Sequence, residues 1–277
     1  MILDNESVVT ETLVPVNGIE LCTETFGEPD DPALLLIAGA ARSMDWWEDE
    51  FCRRLAAAGR YVIRYDHRDT GRSTSFPPGS PPYAEADLAN DALGVLDALS
   101  VHRAHLVGMS MGAALARRIA VERPHRVLSL TLLAAGPAEA PDPHRTWSDR
   151  RTAVNQLVAA AHDLGGPFTA DDAHLRRLAE RAYDRTRDMA AAQLNHHRRT
   201  GGPAAHDRPG RIVAPTLILH GTLDPLVPAG HARALADEIP DSRLVWLEGV
   251  GHEIPPAAVW SQVIDEIREA GRRRQPA

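Results

Sequence analysis

His105-Leu106-Val107-Gly108-Met109-Ser110-Met111-Gly112-Ala113 is the stretch on which the reading of this sequence turns. A short strand-like run ends at Val107, a serine follows between two methionines, and a helical pattern runs from Met111 to Glu122. The pentapeptide G-x-S-x-G alone is a weak signal, because small residues are common. Between a strand and a helix it becomes specific, since it describes a strained turn that projects the serine oxygen above a sheet. Glycines at both flanks permit that turn, where a side chain would collide with neighbouring backbone. The plainer alternative is a tight turn in which Ser110 merely caps the helix; the strand before it and the helix after it weigh against that.

Outward from this point the pattern is one of strands alternating with helices. Upstream, Asn17-Gly18 joins the strand-like runs Ser7 to Val16 and Ile19 to Phe26 into a hairpin. Ala33 to Ile37 and Tyr61 to Tyr65 are apolar strands, with a helical pattern from Met44 to Ala58 between them and another from Ala84 to Leu99 after them. Ala104 to Val107 and Val127 to Leu133 flank the helix Met111 to Glu122. Strands apolar on both faces and separated by helices predict an α/β fold with a mostly parallel central sheet and helices on both faces.

From Gly136 to about Arg211 the strand signal stops. Three helical stretches replace it, near Arg145 to His162, Ala170 to Tyr183 and Thr186 to Arg199. Pro137, Pro141 and Pro143 on one side, and Gly201, Gly202, Pro203, Pro209 and Gly210 on the other, have linker composition. The sheet pattern then resumes with Thr216 to His220, a helix from Gly230 to Glu238, the strand Arg243 to Leu247 and a helix from Pro256 to Arg272. The expected organisation is a core of residues 1–136, a helical cap insertion of 137–211, and the rest of the core in 212–277.

A serine at its ordinary pKa is a poor nucleophile and needs a base held by an acid. Asp224, in Gly221-Thr222-Leu223-Asp224-Pro225, and His252, in Gly249-Val250-Gly251-His252-Glu253, each follow a strand in the second part of the core. In a parallel sheet the C-terminal ends of the strands share one edge, so these residues are expected to converge on Ser110. Glu139 is the rival acid after the preceding strand. Most of the 13 histidines, His67 and His220 among them, are expected to be hydrogen-bonded structural residues. An oxyanion hole needs two backbone N–H groups. Met111, after the nucleophile, is one candidate, and Ala40, in the loop Ala38-Gly39-Ala40-Ala41-Arg42 after the first core strand, is the other.

Composition narrows the function further. The 277 residues carry a net charge of −8, which argues against a general nucleic-acid binder. All 30 basic residues are arginine, so mechanisms that require a lysine are excluded. The longest apolar run, Ala33 to Ala41, falls far short of the roughly 20 residues of a membrane span. The early acids Asp4 and Glu6 do not fit a secretory signal, so a cytoplasmic protein is expected. Cys22 and Cys52 cannot build a disulfide framework and are expected in the core. No H-E-x-x-H or Cys/His spacing points to a metal, and no cofactor is expected.

At Gly108 to Gly112, Asp224 and His252 the sequence resembles the α/β-hydrolase superfamily, over roughly the first 135 residues and Pro215 to Pro256. Within it, Arg64-Tyr65-Asp66-His67-Arg68-Asp69-Thr70-Gly71-Arg72-Ser73-Thr74 and Arg103 to Gly112 are similar to the aclacinomycin methylesterase branch. That resemblance implies a triad of Ser110, Asp224 and His252, an oxyanion hole of Ala40 and Met111, and hydrolysis of a methyl ester on a polyketide-like metabolite. This chain departs from the usual pattern in having Ala38-Gly39 in place of His-Gly. The Asp66 to Ser73 segment is expected to brace the active-site edge. The same triad also serves cofactor-free perhydrolysis and carbon–carbon bond hydrolysis. A non-catalytic ligand-binding protein of this fold is the alternative from outside enzymology.

Overall fold

The computed structural model describes residues 10–136, 147, 149–199 and 208–272. β1 (Thr12–Val16) and β2 (Ile19–Phe26) pair antiparallel through Asn17 and Gly18, whose φ angles of 48° and 81° suit the tight turn that Asn-Gly favours. The start of the expected first strand, Ser7 to Val9, lies outside the described residues.

β3 (Ala33–Ile37) is followed by a single 3₁₀ turn at Met44–Trp46 and then by α1 (Asp49–Ala57). The one long helix expected over Met44 to Ala58 is thus broken at Trp47-Glu48. The buried Arg64 guanidinium explains the break. It donates to the Trp47 carbonyl and pairs with Glu24 and, at 2.6 Å, with Asp49 in the first turn of α1. A carbonyl committed to Arg64 does not join a helical ladder.

The remaining elements are β4 (Tyr61–Tyr65), α2 (Glu85–Ala98), β5 (Ala104–Met109), α3 (Met111–Glu122), β6 (Val127–Leu133), α4 (Arg150–Leu164), α5 (Asp172–Arg185), α6 (Met189–Arg198), β7 (Thr216–Gly221), α7 (Ala229–Glu238), β8 (Ser242–Leu247) and α8 (Trp260–Arg272). The sheet has eight strands in the order β1-β2-β4-β3-β5-β6-β7-β8. β1 and β2 run antiparallel, and the six from β4 through β8 pair parallel.

Alternation along β3 shows why the sheet is buried twice over. Leu35 and Ile37 face an apolar cluster built with α2, α3 and α7, while Leu34 and Leu36 face a second one built with α1 and α8. Such strands read as unbroken apolar runs. The two cysteines are buried and unbridged, and burial pushes both thiols up to about 12, which keeps them protonated. None of the described helices is long and apolar enough to cross a membrane.

α4, α5 and α6 stand between β6 and β7 and share a third apolar cluster that includes Trp147, Leu157, Leu175 and Met189. Each starts at an aspartate, Asp149, Asp171 and Asp188, whose carboxylate accepts a backbone N–H of the first turn. The linkers expected around Pro137 to Pro143 and Gly201 to Pro203 lie outside the described residues, as does Glu139.

Candidate active site

Ser110 sits between β5 and α3 with φ 52° and ψ −114°, a conformation that costs a non-glycine residue energy unless its surroundings impose it. The surroundings do so. Ser110 N–H donates to the Leu133 carbonyl of β6 at 2.9 Å, and its own carbonyl receives Ala113 and Ala114 N–H at the start of α3. A Cβ at Gly112 would stand 2.1 Å from the Ile37 carbonyl oxygen, so only glycine lets α3 approach the end of β3.

Asp224 follows β7, and His252 follows β8. His252 Nδ1 and Asp224 Oδ2 are 2.9 Å apart, with the carboxylate essentially buried. Asp224 Oδ1 accepts the backbone N–H groups of Leu226 and Val227 at 2.9 and 2.8 Å. Burial opposes the charge on Asp224, but the hydrogen bond to His252, the imidazole's charge and the two backbone donors hold the carboxyl below the usual range. An ionised acceptor at Nδ1 keeps the proton there, which leaves Nε2 as the ring's basic nitrogen.

The glycines around His252 also have a tertiary reason. His252 N–H donates to the Leu164 carbonyl at the end of α4 at 2.6 Å. A Cβ on Gly251 would lie 2.1 Å from that same oxygen. The histidine loop is therefore fastened to the helices inserted between β6 and β7.

Ala40 is partly exposed in the turn after β3, and Met111 is the first residue of α3. An N–H in the first turn of a helix has no intrahelical acceptor and lies at the positive end of the helix dipole. Gly39 lies close by, its Cβ position 3.6 Å from Ser110 Cβ.

Residues that sequence reasoning had not singled out hold this loop. Ala41, at φ 61°, donates its N–H to His196 Nδ1 at 3.0 Å and accepts Gln193 Nε2 at its carbonyl at 3.1 Å. Both partners belong to α6. His196 Nε2 is 2.9 Å from the Arg68 carbonyl, and His67 Nε2 is 3.1 Å from the Ala38 carbonyl. Since Nδ1 of His196 accepts, its Nε2 carries the proton, and the ring serves this role only when neutral. No sequence signal links residues 155 positions apart.

The Asp66 to Ser73 segment braces this edge. Asp66 accepts Met44 N–H at 2.8 Å, Arg72 N–H at 3.0 Å and Arg185 of α5 at 2.8 Å. Asp69 accepts the Tyr83 hydroxyl at 2.5 Å and Asn195 of α6 at 3.0 Å, and Arg68 pairs with Asp91 through two 2.6 Å bonds. His220, as expected of a structural histidine, meets the Val227 carbonyl at 2.9 Å.

Burial pushes His67 and His105 down to about 4 and holds His196 well below its ordinary 6.5. In the unfolded chain these rings take up protons near 6.5, so stability is fully present above that pH and is lost as pH falls toward 4. His67 and His105 are each expected to cost on the order of 3 kcal/mol across that window, and His196 shifts stability in the same direction. Urea unfolding at pH 7.5, 6, 5 and 4.5 checks this; a flat unfolding free energy above pH 4.5 would contradict it.

A cavity of about 330 Å³ opens beside His252, lined among others by Met109, Trp46, Phe51, Leu175 and Trp260. It has the size and apolar lining of a small-molecule site.

The alpha/beta hydrolase fold family matches residues 32–256, and the chain belongs to that family. It is an ester hydrolase. It is 36% identical over 279 residues to rhodomycin D methylesterase DauP of Streptomyces sp. (strain C5), covering 88% of this chain and 93% of that protein. It is 33% identical to the putative carbamate hydrolase RutD of Variovorax paradoxus (strain S110), over 86% of this chain and 92% of the relative. Among solved structures it is similar to the esterase RhEst1 from Rhodococcus sp. ECU1013, with a TM-score of 0.75, 25% identity and coverage of 96% and 98%.

Proposed function

We propose that the protein hydrolyses a methyl ester on a polyketide-like secondary metabolite through an acyl-enzyme on Ser110. Ser110 Oγ attacks the ester carbonyl while His252 Nε2 takes its proton, and Asp224 holds the imidazole tautomer and stabilises the imidazolium. The N–H groups of Met111 and Ala40 receive the oxyanion. Collapse expels methanol, protonated by His252, and water then repeats the sequence to free the acid and Ser110. The observation that carries this reading is the 2.9 Å His252–Asp224 pair at the sheet edge where Ser110 is held in its strained turn.

The methyl-ester assignment draws on the relative named as a rhodomycin D methylesterase. Residues 137–211 act as a cap over the substrate, and the protein works in the cytoplasm on a small-molecule ester. The test is mass-spectrometric mapping of a fluorophosphonate adduct, followed by turnover of a panel of methyl, acyl and lactone substrates and aminoacyl amides. A label on Ser110 and fastest turnover of methyl esters of polycyclic aromatic acids are expected. An enzyme that cleaved the amides faster than any ester would be a peptidase instead.

The clamp on Ala41 makes a separate prediction about the oxyanion loop. Full loss of an oxyanion donor costs roughly 10²–10³ in kcat, so a loosened donor should cost less, roughly 10-fold. His196→Ala is expected to lower kcat by that amount, with KM changing little and affinity for a tetrahedral boronate falling in step with kcat. His196→Asn, whose Oδ1 can replace Nδ1 as acceptor, should recover most of the loss. Unchanged boronate affinity in a folded His196→Ala enzyme would mean that the loop is held without α6.

A further inference from the structure

The cavity beside His252 contains several ionisable side chains, and all but one are matched. Glu48 meets His174 at 2.8 Å, Asp171 accepts His174 N–H at 2.8 Å as the cap of α5, and Glu253 accepts the Thr169 hydroxyl at 2.9 Å and the Gly251 N–H at 3.3 Å. His252 is paired with Asp224. The exception is Arg42, which follows the Ala38 to Ala41 turn and lines the same cavity. Its guanidinium carbon lies 4.2 Å from the centroid of the Trp46 ring. Among the described residues no carboxylate pairs with it and none of its side-chain N–H groups donates to a protein acceptor.

An unpaired guanidinium in a partly buried position costs stability, and stacking on one indole offsets only part of that. Burial lowers Arg42 to about 10, which leaves it cationic at neutral pH. Burial also raises the Glu253 carboxyl above its usual range, and its oxygens are engaged by the Thr169 hydroxyl and the Gly251 N–H rather than by Arg42. A planar cation laid on Trp46, with its donor edge unspent and Phe51 and Trp260 in the same wall, matches a flat aromatic partner with an anionic oxygen.

We infer that Arg42 is a specificity-determining residue that binds an anionic oxygen substituent, a carboxylate or an ionised ring hydroxyl, on a planar aromatic ester. The inference rests on the ester-hydrolase reading of the site. The substrate completes the missing half of an ion pair, and the same group discriminates against neutral esters of equal shape.

The test compares two substrates of matched size, the monomethyl ester of naphthalene-2,6-dicarboxylic acid and methyl 6-carbamoyl-2-naphthoate. The wild-type enzyme is expected to favour the carboxylate, with the preference shrinking as salt is raised. Arg42→Met should reduce the ratio of the two kcat/KM values roughly 10- to 100-fold, the range for losing a hydrogen bond to a charged group. Arg42→Lys, which keeps the charge but not the planar fork, should fall between them. Removing an uncompensated charge should also raise the Tm of Arg42→Met, a sign opposite to that expected if Arg42 were holding the fold together. A wild-type preference for the carboxamide, or a ratio unmoved in both variants, would overturn the inference. Fluorophosphonate labelling of Ser110 and turnover of the carboxamide ester test the ester-hydrolase reading separately, so the two can fail independently.

Discussion

Ser110→Ala is expected to abolish ester turnover, by several orders of magnitude, while leaving the fold intact. The size follows from the chemistry: without Oγ there is no acyl-enzyme, and only general binding and the oxyanion donors remain to act on a water. The fold should survive because the strained turn is held by backbone, through Ser110 N–H to the Leu133 carbonyl and through the start of α3. Steady-state kinetics beside circular dichroism check the expectation, and loss of fluorophosphonate labelling should accompany it. A folded variant with a tenth of wild-type activity would remove Ser110 from the nucleophile role.

Asp224→Asn should be the next largest effect, roughly 10⁴ in kcat. The amide can present an N–H where the carboxylate presented an oxygen, and the imidazole then turns its proton toward Ser110. The base is lost although the geometry is kept. Asp224 Oδ1 also accepts Leu226 and Val227 N–H, contacts an asparagine oxygen can preserve, so the defect should appear in kcat and hardly in Tm. Glu139→Gln should be nearly silent in the same assay. Reversal of the two results would assign the acid to the segment after β6.

Much of the fold was legible because local physics repeats along the chain. The bounds of β3, β4, α3 and β6 fall where apolar runs and the elbow glycines put them. Met44 to Ala58 misleads because its helical periodicity is real, yet Arg64, distant in sequence, draws the Trp47 carbonyl out of the ladder. The flanking glycines of His252 marked it as special, but the sequence could not say that one of them makes room for the Leu164 carbonyl.

The sequence by itself determined the alternation of strands and helices, the helical run between β6 and β7, and the chain order of Ser110, Asp224 and His252. These follow from hydrophobic periodicity and from turns that only certain residues can make, and both act over a few residues. Only the tertiary structure decided that His252 Nδ1 meets Asp224, that α6 grips Ala41 at both its backbone groups, and that Arg42 lines the cavity with no carboxylate of the described residues paired to it. Those facts depend on which distant side chains share a buried space. Hydrogen bonding and charge balance there are settled by three-dimensional neighbours rather than by sequence neighbours.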